Sequence, residues 1–367
     1  MMIMMPHCLL MSLIASLLIC CSASMPLLEV PLRLSKIGGV NFIAEGFEGP
    51  FPFDAPESIA SLANARALGV NTITISFPWY TDSVNSTAVP YAVVGGCPSG
   101  VPFNNASSPS DESIVTAIRA AHNLGLRVVV RPMIDPNWNL PQNKGTSRGR
   151  IGETFNREEW AAWFVSYRFF LNKWAMIATN EGVEIFCAGA ELLSTQAQDT
   201  EWRTTLAAVR SVFSGTVYYS ATGEDVTWWD ASDLIAQDAY PALTNTSVMP
   251  ADVSINELVV AWNTTLARFY QMSVKYNRSV LLQETGVCSI NIAGLFNQPW
   301  YYECYKHAVN QDVQANYYES VFLAPYAQEW IVGVFFWKWA AQGGPLDPSF
   351  FPLNKSAGRV MQKYLLP

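Results

Sequence analysis

The chain has 367 residues, of which half are hydrophobic and only 14% are charged. This composition supports a large buried core and excludes an intrinsically disordered protein. The net charge is −8, whereas nucleic-acid binding needs a basic surface, so we expect no nucleic-acid partner.

The first 24 residues resemble a secretory signal peptide. The stretch Cys8–Cys21 is apolar, and Cys21-Ser22-Ala23 offers small residues for cleavage. At 14 residues the stretch is short for a membrane span, but it lacks a preceding Lys or Arg, which leaves an uncleaved anchor as the alternative. We predict a signal peptide over residues 1–24, a mature domain over residues 25–367 and no stable membrane insertion after cleavage.

Glycosylation motifs agree with secretion. Six Asn-x-Ser/Thr sequons occur, each in a predicted loop or on a predicted helix surface, where a glycan can be attached. They begin at Asn85, Asn105, Asn245, Asn263, Asn277 and Asn354. We predict a glycoprotein that is secreted or resides in the lumen of the secretory pathway or a lysosome.

Four cysteines follow the signal peptide, one of them Cys97. Cys288 and Cys304 flank one loop and are predicted to form a disulfide. Cys187 lies inside a predicted strand, which is typical of a buried free thiol. The spacing of cysteines and histidines does not match a metal site, so we expect no metal.

A helix, a glycine and a short apolar strand recur along the chain. In one copy Gly69 separates an amphipathic helix from Val70–Ser76, and in the next Gly125 separates a helix from Leu126–Arg131. Each glycine is expected in the left-handed conformation that ends a helix. Counting onward predicts eight strands: Ile37–Ile43, Asn71–Phe77, Leu126–Pro132, Val183–Ala188, Thr216–Ser220, Leu234–Ala239, Val280–Gln283 and Val332–Trp337.

A long helix is predicted before the fourth strand. Asn156 and Glu159 have the spacing of a capping box, and large apolar side chains then recur at helical spacing, which predicts a buried face. These side chains are Trp160, Trp163, Phe164, Tyr167, Phe170, Leu171 and Trp174.

Strands that alternate with helices predict a parallel β/α fold. Eight units in one chain of this length fit a single (β/α)8 TIM barrel. An open doubly wound sheet is the alternative, but it would need a glycine-rich turn after the first strand. Gly38-Gly39 stands at the start of that strand instead, so the barrel is favoured.

Two glutamates follow apolar strands whose carboxyl ends would meet at the barrel mouth. Glu191 ends the fourth strand and Glu284 the seventh, and active sites of barrels lie at these ends. Two facing carboxylates are the equipment for glycoside hydrolysis, one as nucleophile and one as proton donor. A single strand-end glutamate could be a structural ion-pair partner, but two such positions favour the catalytic interpretation.

Other polar and aromatic side chains end neighbouring strands. Tyr240 could orient the nucleophile, and Trp337 could stack on a sugar ring, whereas for Trp339 core packing is the alternative. After the third strand, Asn137 follows Asp135.

Arg131, in the third strand, has two possible partners. It could hold the nucleophile carboxylate by charge-assisted hydrogen bonds. It could equally form a structural ion pair with Asp135.

Five stretches, in chain order, resemble the clan of retaining (β/α)8 glycosidases, and within it glycoside hydrolase family 113. They are Trp160–Tyr167, Phe186–Leu192, Asp238–Pro241, Gln283–Gly286 and Gly333–Trp339. Gly145–Ile151 is similar to a family loop after strand three. Known members of the family are mainly β-1,4-mannanases, so the resemblance implies a polysaccharide or oligosaccharide substrate and no cofactor.

The resemblance implies that Glu191 is the acid/base, that Glu284 is the nucleophile, and that Tyr240 and Trp337 line the subsite beside the cleaved bond. One position departs from the clan. Many members place Asn directly before the acid/base, where it binds the sugar 2-hydroxyl, but this chain has Ala190.

That missing contact would have to come from Asn137 or Arg131. The sugar preference therefore stays open at this point.

We therefore predict a secreted retaining endo-β-1,4-mannanase. A retaining β-glycosidase or transglycosylase that acts on another β-glycan is the alternative among enzymes. A carbohydrate-binding barrel without activity is the alternative outside them.

Overall fold

Eight parallel strands close into a barrel in the computed structural model, which describes residues 35–44, 51–90, 108–243, 253–293 and 304–367. The strands are β1 Ile37–Phe42, β2 Thr72–Thr81, β3 Arg127–Pro136, β4 Ile185–Ala190, β5 Thr216–Ala221, β6 Leu234–Asp238, β7 Val280–Thr285 and β8 Ile331–Trp339. Each strand pairs with the next, and β8 pairs with β1. The predicted (β/α)8 barrel is confirmed, and the open sheet is wrong.

Seven α-helices lie in the described residues. They are α1 Pro56–Ala67, α2 Asp111–Asn123, α3 Arg157–Asn180, α4 Asp199–Arg210, α5 Ile255–Tyr276, α6 Gln311–Leu323 and α7 Ser356–Leu365. The link from β5 to β6, which is described throughout, contains only a 3-10 turn, Trp229–Ala231. None of these helices is long and apolar enough to cross a bilayer.

Local sequence signals explain where the helices begin and end. Gly69 and Gly125 follow α1 and α2 with φ of +87° and +69°, the left-handed conformation expected of them. Asn156 and Glu159 form the predicted capping box at the start of α3. The aromatic stripe of α3 is buried from Trp163 onward, as predicted, and Trp160 is half-buried.

Apolar packing holds the barrel on both sides of the sheet. A small cluster draws on seven of the eight strands and includes Val129, Tyr218 and Phe335. A much larger cluster joins strands to helices. For example, the rings of Phe77 on β2 and Trp174 on α3 have centroids 4.5 Å apart. This packing fixes the strand ends, on which the site is built.

The cysteine predictions agree with the structure where it describes them. Cys288 and Cys304 form a disulfide, and Cys187 is a buried free thiol whose pKa burial raises to about 11. The predicted signal peptide, Cys97, Asn105 and Asn245 lie outside the described residues.

Candidate active site

Glu284, at the end of β7, is held at both carboxylate oxygens. Arg131 donates to Oε1, and the Tyr240 hydroxyl donates to Oε2 over 2.6 Å. The pairing of β7 with β8 is irregular between Leu282 and Thr285, and such an irregularity re-aims the side chain that it contains. The orientation of Glu284 is therefore fixed by two donors and by the strand itself.

Arg131 is fully buried and binds two carboxylates at once. Besides Glu284 it donates to Asp238 Oδ2, from Nη2, over 2.7 Å. Burial lowers the pKa of Arg131, but the charges of Asp238 and Glu284 outweigh burial and raise the pKa well above its ordinary value. The alternative partner, Asp135, is wrong because that carboxylate is bound by another arginine.

Arg148 occupies Asp135 with a two-pronged pair. Its Nε and Nη2 donate to the two carboxylate oxygens over 2.9 and 2.8 Å, the fork geometry that arginine favours. Its Nη1 lies 3.8 Å from Glu191 Oε2. Ser194 donates to Gly149 O over 2.7 Å, which ties the Arg148 turn to the segment after β4.

Glu191 stands at the end of β4 in an unusual backbone conformation. Its φ is +55°, a left-handed value that costs a non-glycine residue about 1 kcal/mol or more. Its N–H donates to Ser220 O on β5 over 2.9 Å, and the Tyr219 hydroxyl accepts from Leu192 N over 2.9 Å. Hydrogen bonds on both sides thus maintain the conformation that presents Glu191.

The two glutamates have different environments. The side chain of Glu191 is 31% exposed and that of Glu284 only 7%. Burial, and then the charge of Glu284, raise the pKa of Glu191, although Arg148 and Arg131 oppose the shift. The charge of Glu284 therefore acts on Glu191, and the two residues stand at the carboxyl ends of β7 and β4.

Asp238, which ends β6, is a third carboxylate of the site. It accepts from Ser220 Oγ over 2.6 Å as well as from Arg131. Burial raises its pKa well above the ordinary value, against the effect of Arg131, and the charges of Glu284 and Glu191 add to the rise. In the sequence Asp238 only begins one of the stretches that resemble the family, and no sequence signal predicts its role.

A polar layer lies beneath the glutamates. Gln283, next to Glu284, donates to Asn41 Oδ1 over 2.8 Å and to Thr74 Oγ1 over 3.2 Å, and accepts from Tyr218. Asn41 Nδ2 donates back to Gln283 O over 2.8 Å. These buried bonds fix β7 against β1 and β2 just below Glu284.

The remaining predicted residues have mixed placements. Trp337 is buried and contacts the Lys338 ammonium with its ring. Trp339 belongs to the core and donates to Ser61 O over 3.1 Å, so core packing is the correct alternative there. The Asn137 side chain accepts from Asn139 N over 3.1 Å in its own loop.

Chemically, the mouth holds one carboxylate fixed by an arginine and a tyrosine and another whose pKa is raised. This difference lets one group act as an anion while the other carries a proton. The described residues contain no cluster of His, Cys, Asp or Glu arranged to bind a metal.

Comparison with sequence families decides the identity. The sequence model of Glycoside Hydrolase Family 113 matches residues 42–348. The chain belongs to glycoside hydrolase family 113. A comparison with curated protein sequences finds no match.

Solved structures are similar over nearly the whole chain. The family 113 β-mannanase of Alicyclobacillus acidocaldarius, solved in complex with ManMIm, is 26% identical with a TM-score of 0.72; the match covers 90% of this chain and 97% of that one. A second family 113 β-1,4-mannanase is 23% identical with a TM-score of 0.73, covering 90% and 99%. The endo-β-1,4-mannanase of Thermotoga petrophila is 13% identical with a TM-score of 0.54, covering 91% and 77%. The last two likenesses show the fold alone.

Membership in family 113 makes the protein a glycoside hydrolase, which confirms the predicted enzyme class. Both glutamates lie within the matched range, as do Arg131, Arg148 and Asp238. Arg148 was within reach of the sequence, since it sits in the loop that resembles the family. Its pairing with Asp135 could not be read from spacing, because a loop of 12 residues separates them.

Proposed function

We propose that this family 113 enzyme is a retaining endo-β-1,4-mannanase in which Glu284 is the nucleophile and Glu191 the acid/base. The observation that carries the proposal is the pair of donors, Arg131 and Tyr240, that hold both oxygens of Glu284. The raised pKa of Glu191 supports its role as the acid. The likeness to the A. acidocaldarius β-mannanase supports the substrate.

In the first step a Glu284 oxygen attacks the anomeric carbon while the glycosidic C–O bond breaks. Glu191 gives its proton to the leaving oxygen, so the shortened chain departs as a neutral alcohol. A glycosyl ester on Glu284 remains.

In the second step Glu191, now a carboxylate, takes a proton from water. The water oxygen bonds to the anomeric carbon, and the ester bond breaks, which returns Glu284 to its anionic form. Two inversions give net retention. The Glu284 charge raises the pKa of Glu191, and forming the ester removes that charge. The pKa of Glu191 then falls, which suits its change from acid to base.

A second candidate is hydrolysis or transglycosylation of another β-glycan. The residue before Glu191 supports this second candidate. It is Ala190, a buried methyl group, where many clan members have the amide that binds the sugar 2-hydroxyl. Mannose and glucose differ at that hydroxyl, so its recognition here depends on other side chains.

The test is reducing-end release from β-mannans, β-glucans and xylans by the purified mature enzyme. We expect release of oligosaccharides from β-mannan and a fall of more than about 10³-fold in Glu284→Gln. Glu112→Gln is the matched control, because Glu112 is an exposed residue of α2. Activity confined to β-glucan or xylan would replace the mannanase proposal by the second candidate. Full activity in Glu284→Gln would refute the assigned nucleophile.

We also propose that the enzyme is secreted and glycosylated. The exposure of the four sequon asparagines that the structure describes, Asn85, Asn263, Asn277 and Asn354, supports glycan attachment. Expression in a eukaryotic secretory host should release into the culture medium a protein that begins near residue 25. Its electrophoretic mobility should increase after endoglycosidase treatment. Retention in the membrane with residues 1–24 intact would favour the anchor.

A further inference from the structure

A pocket adjoins the active site on the side of Tyr240. It has a volume of about 240 Å³, room for roughly eight waters at about 30 Å³ each. Three segments line it: the end of β6 with Asp238 and Tyr240, the β5–β6 link with Thr222 and Gly223, and the middle of α5 with Thr265 and Arg268. Because Tyr240 also donates to Glu284, one side chain links this pocket to the proposed nucleophile.

Arg268 gives the pocket its chemical character. Its guanidinium carbon lies 5.4 Å from the centre of the adjacent Phe269 ring. Within the described part of the chain no carboxylate pairs with it. Arg268 is exposed to solvent. An arginine that lines a concave site without an acceptor has a planar fork available for a carboxylate ligand.

Because Gly223 has no side chain, the Arg268 guanidinium has room to lie at the wall of the pocket. An added Cβ would lie 2.6 Å from Arg268 Nη2, and the φ of Gly223 is +111°. A side chain at this position would therefore displace the guanidinium and strain the backbone. The backbone of the β5–β6 link is shaped so that the charge can lie there.

Two carboxylates near the pocket have other partners. Asp238 is bound by Arg131 and Ser220, and its side chain is fully buried. Glu224 accepts from the backbone and the hydroxyl of Thr222, each over 2.8 Å. Neither carboxylate neutralises Arg268, so the guanidinium is left to attract an anion. Hydroxyls of Thr222 and Thr265 add neutral partners beside it.

We propose that this pocket binds a hexuronate, a sugar unit bearing a carboxylate, carried by the glycan that the active site cleaves. The proposal rests on the proposed glycanase function. Arg268 binds the carboxylate, and the threonine hydroxyls bind sugar hydroxyls. The pocket lies beside Tyr240 and reaches α5, outside the ring of strands, which suits a branch better than the main chain. The enzyme would prefer acidic, branched substrates over neutral ones.

The first test measures binding in the Glu284→Gln background, where substrate persists. Calorimetry compares a β-1,4-manno-oligosaccharide with the same chain carrying one glucuronate branch. We expect about fivefold tighter binding of the branched chain, reduced by added salt. Arg268→Gln should bring the ratio near one, whereas Arg66→Gln, the same change at an exposed residue of α1, should keep it. Equal affinities, or an equal loss on both chains in Arg268→Gln, would overturn the proposal.

A second test separates the pocket from the mannanase proposal. Sodium glucuronate and glucose are titrated into the wild type and Arg268→Gln and followed by NMR. Preference for glucuronate that requires Arg268 supports the pocket even where mannan is not cleaved, in which case the proposed function alone fails. Mannan cleavage without any Arg268-dependent preference would overturn the pocket and leave the proposed function standing.

Discussion

At the residue scale, one guanidinium organises the site. Arg131 was predicted either to hold the nucleophile or to pair with Asp135, and the choice depends on a second arginine far along the loop. Arg148 takes Asp135, which leaves Arg131 for Glu284 and Asp238. Strand-end positions could be read from the sequence, but the pairing of buried charges could not, because it depends on which side chains the closed barrel brings together.

Replacing Arg131 by Met should both destabilise and inactivate the enzyme. Two carboxylates would lose their cation in a buried site, at a cost of about 3–5 kcal/mol. Chemical denaturation and kcat are the measurements. Arg131→Lys keeps the charge but loses the fork, so we expect smaller losses of both. Wild-type stability in Arg131→Met would show that these charges do not depend on Arg131.

Glu191 should set the alkaline limit of activity. Because the acid must carry its proton, kcat/KM should fall as the pH rises through the raised pKa of Glu191. In Glu191→Gln we expect a loss of at least about 10²-fold on mannan, with a smaller loss on an aryl mannoside whose leaving group needs no proton. The alkaline limb of kcat/KM for mannan should also vanish in the variant. An unchanged limb would exclude Glu191 as its source.

The raised pKa of Glu191 also makes the stability of the folded state depend on pH. A carboxyl group whose pKa rises on folding binds its proton more readily in the folded than in the unfolded state. Stability is then lost as the pH rises from the ordinary value, 4.5, through the raised one. Glu191→Gln should therefore melt higher than the wild type at neutral pH and equally below about pH 4. A lower melting temperature at neutral pH would contradict this sign.

At the element scale, six of the eight strands run further toward the site than predicted, whereas β1 and β6 end one residue earlier. β2 and β3 continue together to Thr81 and Pro136, beyond Phe77 and Pro132, where the predicted strands end. Proline lacks only the N–H donor, so it can stay in a strand where that donor is not needed. The repeat predicts a helix between β5 and β6, but the link has none and contains Gly223. No periodicity in the sequence indicates this departure.

Gly286 stands two residues after Glu284, and close packing explains why this position has no side chain. A Cβ at this position would lie 2.3 Å from Trp337 O on β8, so no side chain fits while β7 and β8 keep their spacing. We expect Gly286→Ala to lose about 1–3 kcal/mol of stability and to lower kcat by shifting Glu284. Thermal unfolding and kcat measure the two effects, and wild-type values of both would show that the strands accommodate the methyl group.

At the scale of the whole molecule, repetition made the fold predictable. Eight predicted strands that alternate with helices indicate a barrel, although the structure has no helix between β5 and β6, and the closure of β8 on β1 follows from the number of strands. The Cys288–Cys304 bond was also predictable, since the two residues flank one loop near the end of β7. What the sequence could not supply was the pocket beside Tyr240, because its walls come from α5 and from a link distant in sequence.

The disulfide should add measurable stability. It closes a loop with a sequence separation of 16, for which restricting the unfolded chain contributes about 3 kcal/mol. The double variant Cys288→Ser, Cys304→Ser should melt lower than the wild type. Reductant should lower the melting temperature of the wild type only; an equal effect on both proteins would exclude this bond as the cause.

The central claim is that Glu284 forms the covalent intermediate, and trapping tests it most directly. The wild type is incubated with a 2-deoxy-2-fluoro-mannosyl fluoride, digested and examined by peptide mass spectrometry. The account predicts one 2-deoxy-2-fluoro-mannosyl label on Glu284, formed as the anomeric fluoride leaves, and none in Glu284→Gln. A label on Glu191 or Asp238, or hydrolysis with inverted anomeric configuration by NMR and no label, would contradict it.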